Sequence, residues 1–215
     1  MARRVVLVGG TWSWRGLRTE GQWYQSGSPF VTYLRTQGLE VASADQPFVW
    51  TTRIAGYLGL RHRHLEWQAA GENLRVYLDW TDRSQGVTEP YHAVICHSHG
   101  LQVCLYAAAH GAVIPTLISV CGPVRQDMRD TAVAARPNIG SWLHLASDWS
   151  DPWQWFGEWC DGKVGSCREA IWKRQGKVVA AADLSVKIPG VGHSGLVRDP
   201  DHFGKWREYG WLDWI

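Results

Sequence analysis

The chain has 215 residues, 45% of them hydrophobic, with a formal net charge of +2 and a pI near 8.3. This length and apolar content suffice for one sizeable core, and no Pro-, Gly- or Ser-rich linker divides the sequence, so we predict a single domain over residues 1–215. Lysine and arginine are scattered, which argues against a nucleic-acid partner, and no apolar run is long enough for a transmembrane segment.

The first predicted element is a strand from Val5 to Val8, followed by the turn Gly9-Gly10-Thr11-Trp12. Basic residues precede the apolar run, but the run is too short for a signal-peptide core and has no cleavage site after it. We therefore expect a cytoplasmic protein, or one released by cell lysis. The two glycines permit a turn in which backbone amides face a ligand, and an ordinary loop is the alternative.

Further apolar runs recur along the chain, with helical or irregular stretches between them. The spacing of apolar residues predicts a helix from His64 to Trp80, and an Ala-rich run predicts another from Val103 to Ala109. The aromatic-rich segment from His202 to Ile215 could form a last helix, although its two glycines weaken this prediction. This alternation predicts an α/β fold with a mostly parallel sheet, helices on both faces and little or no separate cap domain. The other predicted strands are Leu39 to Ala42, Ala93 to Ile95, Thr116 to Val120, Leu143 to Ala146 and Leu184 to Ile188.

Ser98 lies between a predicted strand and the Ala-rich helix, in the run Cys96-His97-Ser98-His99-Gly100. A sharp strand-to-helix turn strains the residue at its apex and needs small residues two positions before and two after, which are Cys96 and Gly100. The pattern indicates a nucleophilic serine, and a serine that merely caps a buried helix is the alternative. The amide of His99, together with an amide of the Gly-Gly turn, could form an oxyanion hole.

Two later loops supply an acid and a base. Asp148 and Asp151 follow the fifth predicted strand, and either carboxylate could orient a histidine. Reach favours Asp151, because the acid must extend past the strand end and Pro152 fixes the backbone just beyond it. His193 stands in a Gly-rich loop after the last strand and can serve as a general base near neutral pH. The order Ser98, Asp, His193 is the one associated with α/β hydrolases.

The five cysteines give weaker hypotheses. Cys96, Cys104 and Cys121 lie on predicted buried elements and are expected to be free. A local disulfide between Cys160 and Cys167 is sterically possible, but a chain without an export signal usually stays in a reducing compartment. A thiol nucleophile at Cys96 is disfavoured, because that residue ends a strand and points into packing.

The remaining histidines offer no better site. His92 and His144 fall at or in strands, where we expect core or surface positions. A metal site formed by His62, His64, His97 and His99 is conceivable, but these residues lack a matching carboxylate or cysteine spacing, so we expect no metal. The motifs imply no cofactor either.

Fifteen tryptophans exceed what a core of this size needs. Many lie in two stretches, from Trp12 to Trp23 and from Trp149 to Trp172. They could pack in the core and on the surface, or they could line a binding cleft. On the second interpretation, the substrate-binding residues are Trp12, Trp153 and Trp155.

These motifs resemble those of small lipase- and esterase-like members of the α/β-hydrolase superfamily, and the resemblance spans most of the chain. It implies a triad of Ser98, Asp151 and His193, with oxyanion-hole amides from Thr11 and His99. The segments that carry it are Gly9-Gly10-Thr11-Trp12, Phe48-Val49-Trp50, Cys96-His97-Ser98-His99-Gly100, Asp151-Pro152-Trp153-Gln154 and Gly192-His193-Ser194-Gly195.

The sequence thus predicts a serine hydrolase that cleaves carboxylic esters through an acyl-enzyme on Ser98, with a small-molecule or lipid-like ester as its substrate. The same groups would serve a thioesterase, or an amidase or cell-envelope acyl hydrolase, because the motif fixes the nucleophile and not the leaving group. A non-catalytic binding module that retains the fold is the alternative from another class.

Overall fold

The computed structural model describes residues 3–10, 22–42, 44–50, 63–84, 91–123, 126–147 and 181–215. In these ranges six strands form one sheet in the order β2-β1-β3-β4-β5-β6, and every neighbouring pair is parallel. The predicted α/β fold with a parallel sheet is therefore confirmed. The strands are β1 Arg3–Val8, β2 Leu39–Val41, β3 Ala93–His97, β4 Ile114–Val120, β5 Ile139–Ala146 and β6 Leu184–Lys187.

The predicted long helix and Ala-rich helix are both present, as α2 and α3. The C-terminal segment is not one helix, because Gly210 takes a left-handed φ of +67° between α6 and a 3₁₀ turn, Trp211–Trp214. None of the helices in the described ranges is long and apolar enough to cross a membrane. The helices are α1 Pro29–Thr36, α2 Arg63–Ser84, α3 Gly100–Ala109, α4 Arg129–Ala135, α5 Gly195–Arg198 and α6 Gly204–Glu208.

Buried apolar side chains cover both faces of the sheet. Alternate residues of a strand point to opposite faces, so Val5 and Leu7 pack with α1 and the C-terminal aromatic residues, whereas Val6 and Val8 pack with α2 and α3. Strands covered on both sides are apolar at successive positions. This burial explains why the strands were recognisable as continuous apolar runs.

The sheet order places one crevice at the carboxyl ends of β1 and β3. The chain moves from β1 to β2 on one side and then returns to form β3 on the other side of β1. In open α/β sheets ligands bind at such a reversal of strand order. Gly9 and Gly10 follow β1 and Ser98 follows β3, so the fold brings these two sequence motifs together.

A buried polar group lies within the sheet face around His144. The indole Nε1 of Trp142 donates to Ser119 Oγ at 2.9 Å, and Ser119 Oγ lies 2.8 Å from His144 Nδ1. Because the indole can only donate, Ser119 Oγ accepts from it, and the acceptors within reach of the serine hydroxyl are His144 Nδ1 and the Leu143 carbonyl at 3.5 Å. Burial lowers the pKa of His144 from 6.5 to about 4.

We expect this histidine to make the protein less stable in mild acid. Between about pH 6.5 and about pH 4 the unfolded chain binds a proton that the folded chain does not. The free energy of unfolding therefore decreases as the pH is lowered through this range, by roughly 3 kcal/mol in all, and is constant below it. His144→Asn keeps an acceptor near the Nδ1 position but does not titrate. Urea denaturation across this range should show a shallower loss for the variant, and an equally steep loss would exclude His144 as its cause.

Candidate active site

Ser98 stands at the apex of the turn between β3 and α3, in a strained backbone conformation. Its φ is +54°, in the left-handed region that costs an L-residue about 1–2 kcal/mol. Its amide donates to the Val120 carbonyl at 2.9 Å, and its carbonyl accepts from the Leu101 amide at 3.1 Å. These bonds to β4 and α3 fix the strained conformation, and the side chain remains 9% exposed. The serine is thus held by backbone hydrogen bonds at the carboxyl end of β3.

Two glycines allow the end of β1 to lie directly against this turn. A Cβ on Gly100 would be 2.8 Å from the carbonyl oxygens of both Val8 and Gly9, and a Cβ on Gly10 would be 2.8 Å from Ser98 Cβ. Real side chains essentially never approach so closely. The sequence requirement for a small residue at position 100 therefore has a specific cause, which is contact with the backbone of β1 and its turn.

Trp50 anchors the Gly-Gly turn from the other side. Its indole Nε1 donates to the Gly9 carbonyl at 2.8 Å, and both groups are buried. The neighbouring Phe48 forms a parallel bridge with Val8. Sequence reasoning gave Trp50 no role of its own; the only hint was its place in one of the segments that carry the family resemblance.

His193 lies on a tight turn after β6. The Gly195 amide donates to the Gly192 carbonyl at 3.0 Å across the turn, Gly190 takes a left-handed φ of +71°, and the buried Val191 anchors the loop in the core. The His193 side chain itself is partly exposed. This arrangement presents the imidazole at the surface of the crevice.

The His193 loop reaches the residue that precedes Ser98. The imidazole rings of His97 and His193 are 4.8 Å apart between centroids, and His97 Nε2 lies 2.9 Å from the His193 carbonyl oxygen. In the sheet, β4 and β5 separate β6 from β3. The loop after β6 therefore crosses two strand ends and brings His193 beside the serine turn.

His99 follows Ser98 and stacks on an aromatic side chain of α2. Its ring lies 5.3 Å from that of Trp67 with a 19° interplanar angle, and Trp67 in turn contacts His64 edge-on at 5.4 Å. The His64 ring nitrogens lie 3.0 Å from Tyr106 Oη and 3.1 Å from Asp127 Oδ2. Among the described residues no group of three or more His, Cys, Asp or Glu side chains is placed to hold a metal ion.

The predicted burial of Cys96, Cys104 and Cys121 is confirmed, and Cys96 and Cys104 are free of disulfides as predicted. Burial and a hydrogen bond with Cys104 raise the pKa of the Cys96 thiol well above its usual value. The thiolate, which is the nucleophilic form, is therefore strongly disfavoured at Cys96.

We expect Cys96→Ala to retain at least half of the wild-type activity. The thiol is buried and protonated, so its removal deletes no reacting group, and the loss of one sulfur atom should cost only about 1 kcal/mol of stability. Wild-type protein treated with iodoacetamide under native conditions should likewise keep its activity. If folded Cys96→Ala has lost turnover and alkylation also abolishes turnover in the wild type, the cysteine is the nucleophile.

Several predicted site residues lie outside the described part of the chain, so their positions stay predictions. They belong to the oxyanion turn, the acid loop and the possible disulfide and metal cluster: Thr11, Trp12, Asp148, Asp151, Trp153, Trp155, Cys160, Cys167 and His62.

No protein-family model matches the chain, and no curated protein matches it either. Two solved structures are similar in fold. A crystal structure described as a predicted CIB-like hydrolase from Thermoplasma acidophilum is 13% identical, with a TM-score of 0.54 over 98% of this chain and 86% of that one. The crystal structure of TT1662 from Thermus thermophilus is 12% identical, with a TM-score of 0.53 over 99% of this chain and 89% of that one. At these identities the likeness shows a shared fold, and that fold agrees with the predicted single-domain α/β-hydrolase architecture.

Proposed function

We propose that the chain is a serine hydrolase that cleaves carboxylic esters, with Ser98 as nucleophile and His193 as general base. The observation that carries this proposal is the left-handed φ of Ser98 on the turn between β3 and α3, at the reversal of strand order. A non-glycine residue persists in such a conformation only where its surroundings enforce it, and such residues cluster at functional sites. The contact between the rings of His97 and His193 supports His193 as the base, because this imidazole lies at the same edge of the sheet as Ser98.

The proposed reaction proceeds in two halves. His193 takes the proton from Ser98 as Oγ bonds to the ester carbonyl carbon, and the resulting oxyanion collapses to expel the alcohol, which takes the proton back from His193. A water then loses its proton to His193 and attacks the acyl carbon, and the acid leaves as the proton returns to Oγ. Each half begins and ends with neutral His193.

The oxyanion donors in this proposal are the amides of His99 and Thr11. The His99 amide lies at the N-terminal end of α3, where the helix dipole favours negative charge. Thr11 follows Gly10, whose backbone lies against Ser98. Donors fixed before the reaction stabilise the developing charge without reorganising.

For the triad acid we propose Asp151, with Asp148 as the alternative. β5 ends at Ala146, so Asp148 follows it almost at once in the sequence, whereas Asp151 comes three residues later, which favours its reaching a histidine that arrives from β6. Turnover of folded Asp151→Asn and Asp148→Asn should therefore differ, with the larger loss in Asp151→Asn. Trp12, Trp153 and Trp155 are proposed to line the acyl or alcohol pocket.

The direct test combines hydrolysis of a panel of p-nitrophenyl esters with labelling by a fluorophosphonate probe. We expect turnover of at least one ester and labelling of Ser98, identified by peptide mass, with neither in Ser98→Ala. Faster turnover of matched thioesters or anilides would indicate a thioesterase or an amidase that uses the same serine nucleophile. A folded protein that neither turns over any of these substrates nor takes the label would be a binding module.

A further inference from the structure

We propose that His97 is a positioning residue that holds the His193 loop in line with Ser98; this inference rests on the proposed function. The observation is the contact of His97 Nε2 with the His193 main-chain oxygen at 2.9 Å. A carbonyl oxygen only accepts hydrogen bonds, so Nε2 of His97 carries the proton and donates. The donor and the nucleophile are adjacent in the chain, so a single strand end supports both the serine and the base loop.

The His97 ring is itself held firmly. Its side chain is 6% exposed, and the edge of Trp23 packs against it with a centroid distance of 6.0 Å. Gly10 lies on the Nδ1 side, where a Cβ would be 3.4 Å from that nitrogen, and Ser194 Oγ lies 3.4 Å from Nε2. A ring surrounded in this way has one orientation available, so it can fix the position of a loop.

The His193 loop needs such support because it begins at β6, three strands away from Ser98 in the sheet. Among the described residues β6 is one of the two edge strands, and the last backbone bond from its end to β5 is that of the Ile188 amide to the Ala146 carbonyl. From there the chain must cross the ends of β5 and β4 to bring His193 beside Ser98. A displacement of about 1 Å between reacting groups costs roughly 100-fold in rate, so an anchor at the far end of this crossing affects turnover.

The same contact argues that His97 is not the base. The Nε2 atom already donates to a carbonyl oxygen, so it has no lone pair for the proton of Ser98. The Nδ1 atom faces Gly10, on the side of β1. A variant that keeps a donor at the Nε2 position therefore preserves the positioning role of His97, but it cannot transfer a proton as imidazole does.

The test compares His97→Gln with His97→Asn. The amide nitrogen of glutamine extends as far from the backbone as Nε2, whereas that of asparagine reaches only as far as Nδ1, so only glutamine can keep the bond to the His193 carbonyl. We expect His97→Gln to keep kcat within about threefold of wild type and His97→Asn to lower kcat by about 10- to 100-fold, with KM nearly unchanged in both. His110→Asn, the same change on the exposed end of α3, is the control.

Three results would overturn this inference. Equal, severe loss of kcat in both variants would indicate that His97 transfers the proton itself. Equal kcat in all three variants and wild type, with only a lower melting temperature for the His97 variants, would indicate a purely structural role. If wild-type protein neither turns over any ester, thioester or anilide nor labels at Ser98, the proposed function fails and the positioning role falls with it; labelling of wild type separates this outcome from the other two.

Discussion

Ser98→Ala should leave a folded protein whose ester turnover is lower by about 10⁴- to 10⁶-fold, because the substitution deletes the attacking atom. Ser98 is only 9% exposed, and its backbone makes the hydrogen bonds to Val120 and Leu101 that hold the turn. Alanine should therefore fit the same turn. Circular dichroism and the melting temperature check the fold, and steady-state kinetics with the best p-nitrophenyl ester check the loss. A variant that keeps a tenth of wild-type turnover would exclude Ser98 as the nucleophile.

The strain at position 98 adds a comparison that does not depend on the substrate. Glycine adopts a φ of +54° freely, which should recover about 1–2 kcal/mol relative to alanine, against about 0.5–1 kcal/mol lost to the greater freedom of glycine in the unfolded chain. Ser98→Gly should therefore be at least as stable as Ser98→Ala, although both are inactive. A glycine variant that unfolds well before the alanine variant would mean that the turn is not strained.

The sheet was predictable because burial on both faces makes its strands continuous apolar runs. The strand β6 departs from this rule, since none of its four residues is buried. The start of β5 was not predicted, because the strand begins at Ile139, before the predicted Leu143. Gly140 hides this start, since glycine is unusual in strands, but here a Cβ would lie 2.5 Å from the Pro115 carbonyl oxygen. Helix α1 was also missed, although Ser28 caps it by accepting from the Val31 amide and Pro29 opens it.

The candidate site was predictable only where a short stretch of sequence carries the signal. Ser98 and His193 each stand in a short motif whose residue types point to their chemistry. The contacts that hold those motifs in place join residues far apart in sequence: Trp50 is 41 residues from Gly9, and His97 is 96 residues from His193. No local pattern encodes such a pair, because the partner is determined by the order of strands in the sheet.

Gly100→Ala should lower both stability and turnover. The added Cβ would lie 2.8 Å from the carbonyl oxygens of Val8 and Gly9, and both are backbone atoms that no side-chain rotation can move aside. The Gly9 carbonyl also accepts the Trp50 indole, so displacing it breaks a buried hydrogen bond. We expect a loss of about 1–3 kcal/mol in the free energy of unfolding, as for other overpacked sites.

Turnover should fall by at least tenfold in the same variant, because the start of α3 and the turn after β1 must separate, which moves Ser98 relative to the proposed oxyanion donors. The matched control is Gly204→Ala at the first residue of α6, where an added Cβ meets no atom within 4 Å. That change should stabilise the protein by about 0.4–1 kcal/mol, because alanine has less freedom in the unfolded chain, and should leave turnover unchanged. Urea denaturation and ester kinetics on both variants provide the measurement. If Gly100→Ala behaves like Gly204→Ala, the close contact between β1 and the serine turn is not needed for the site.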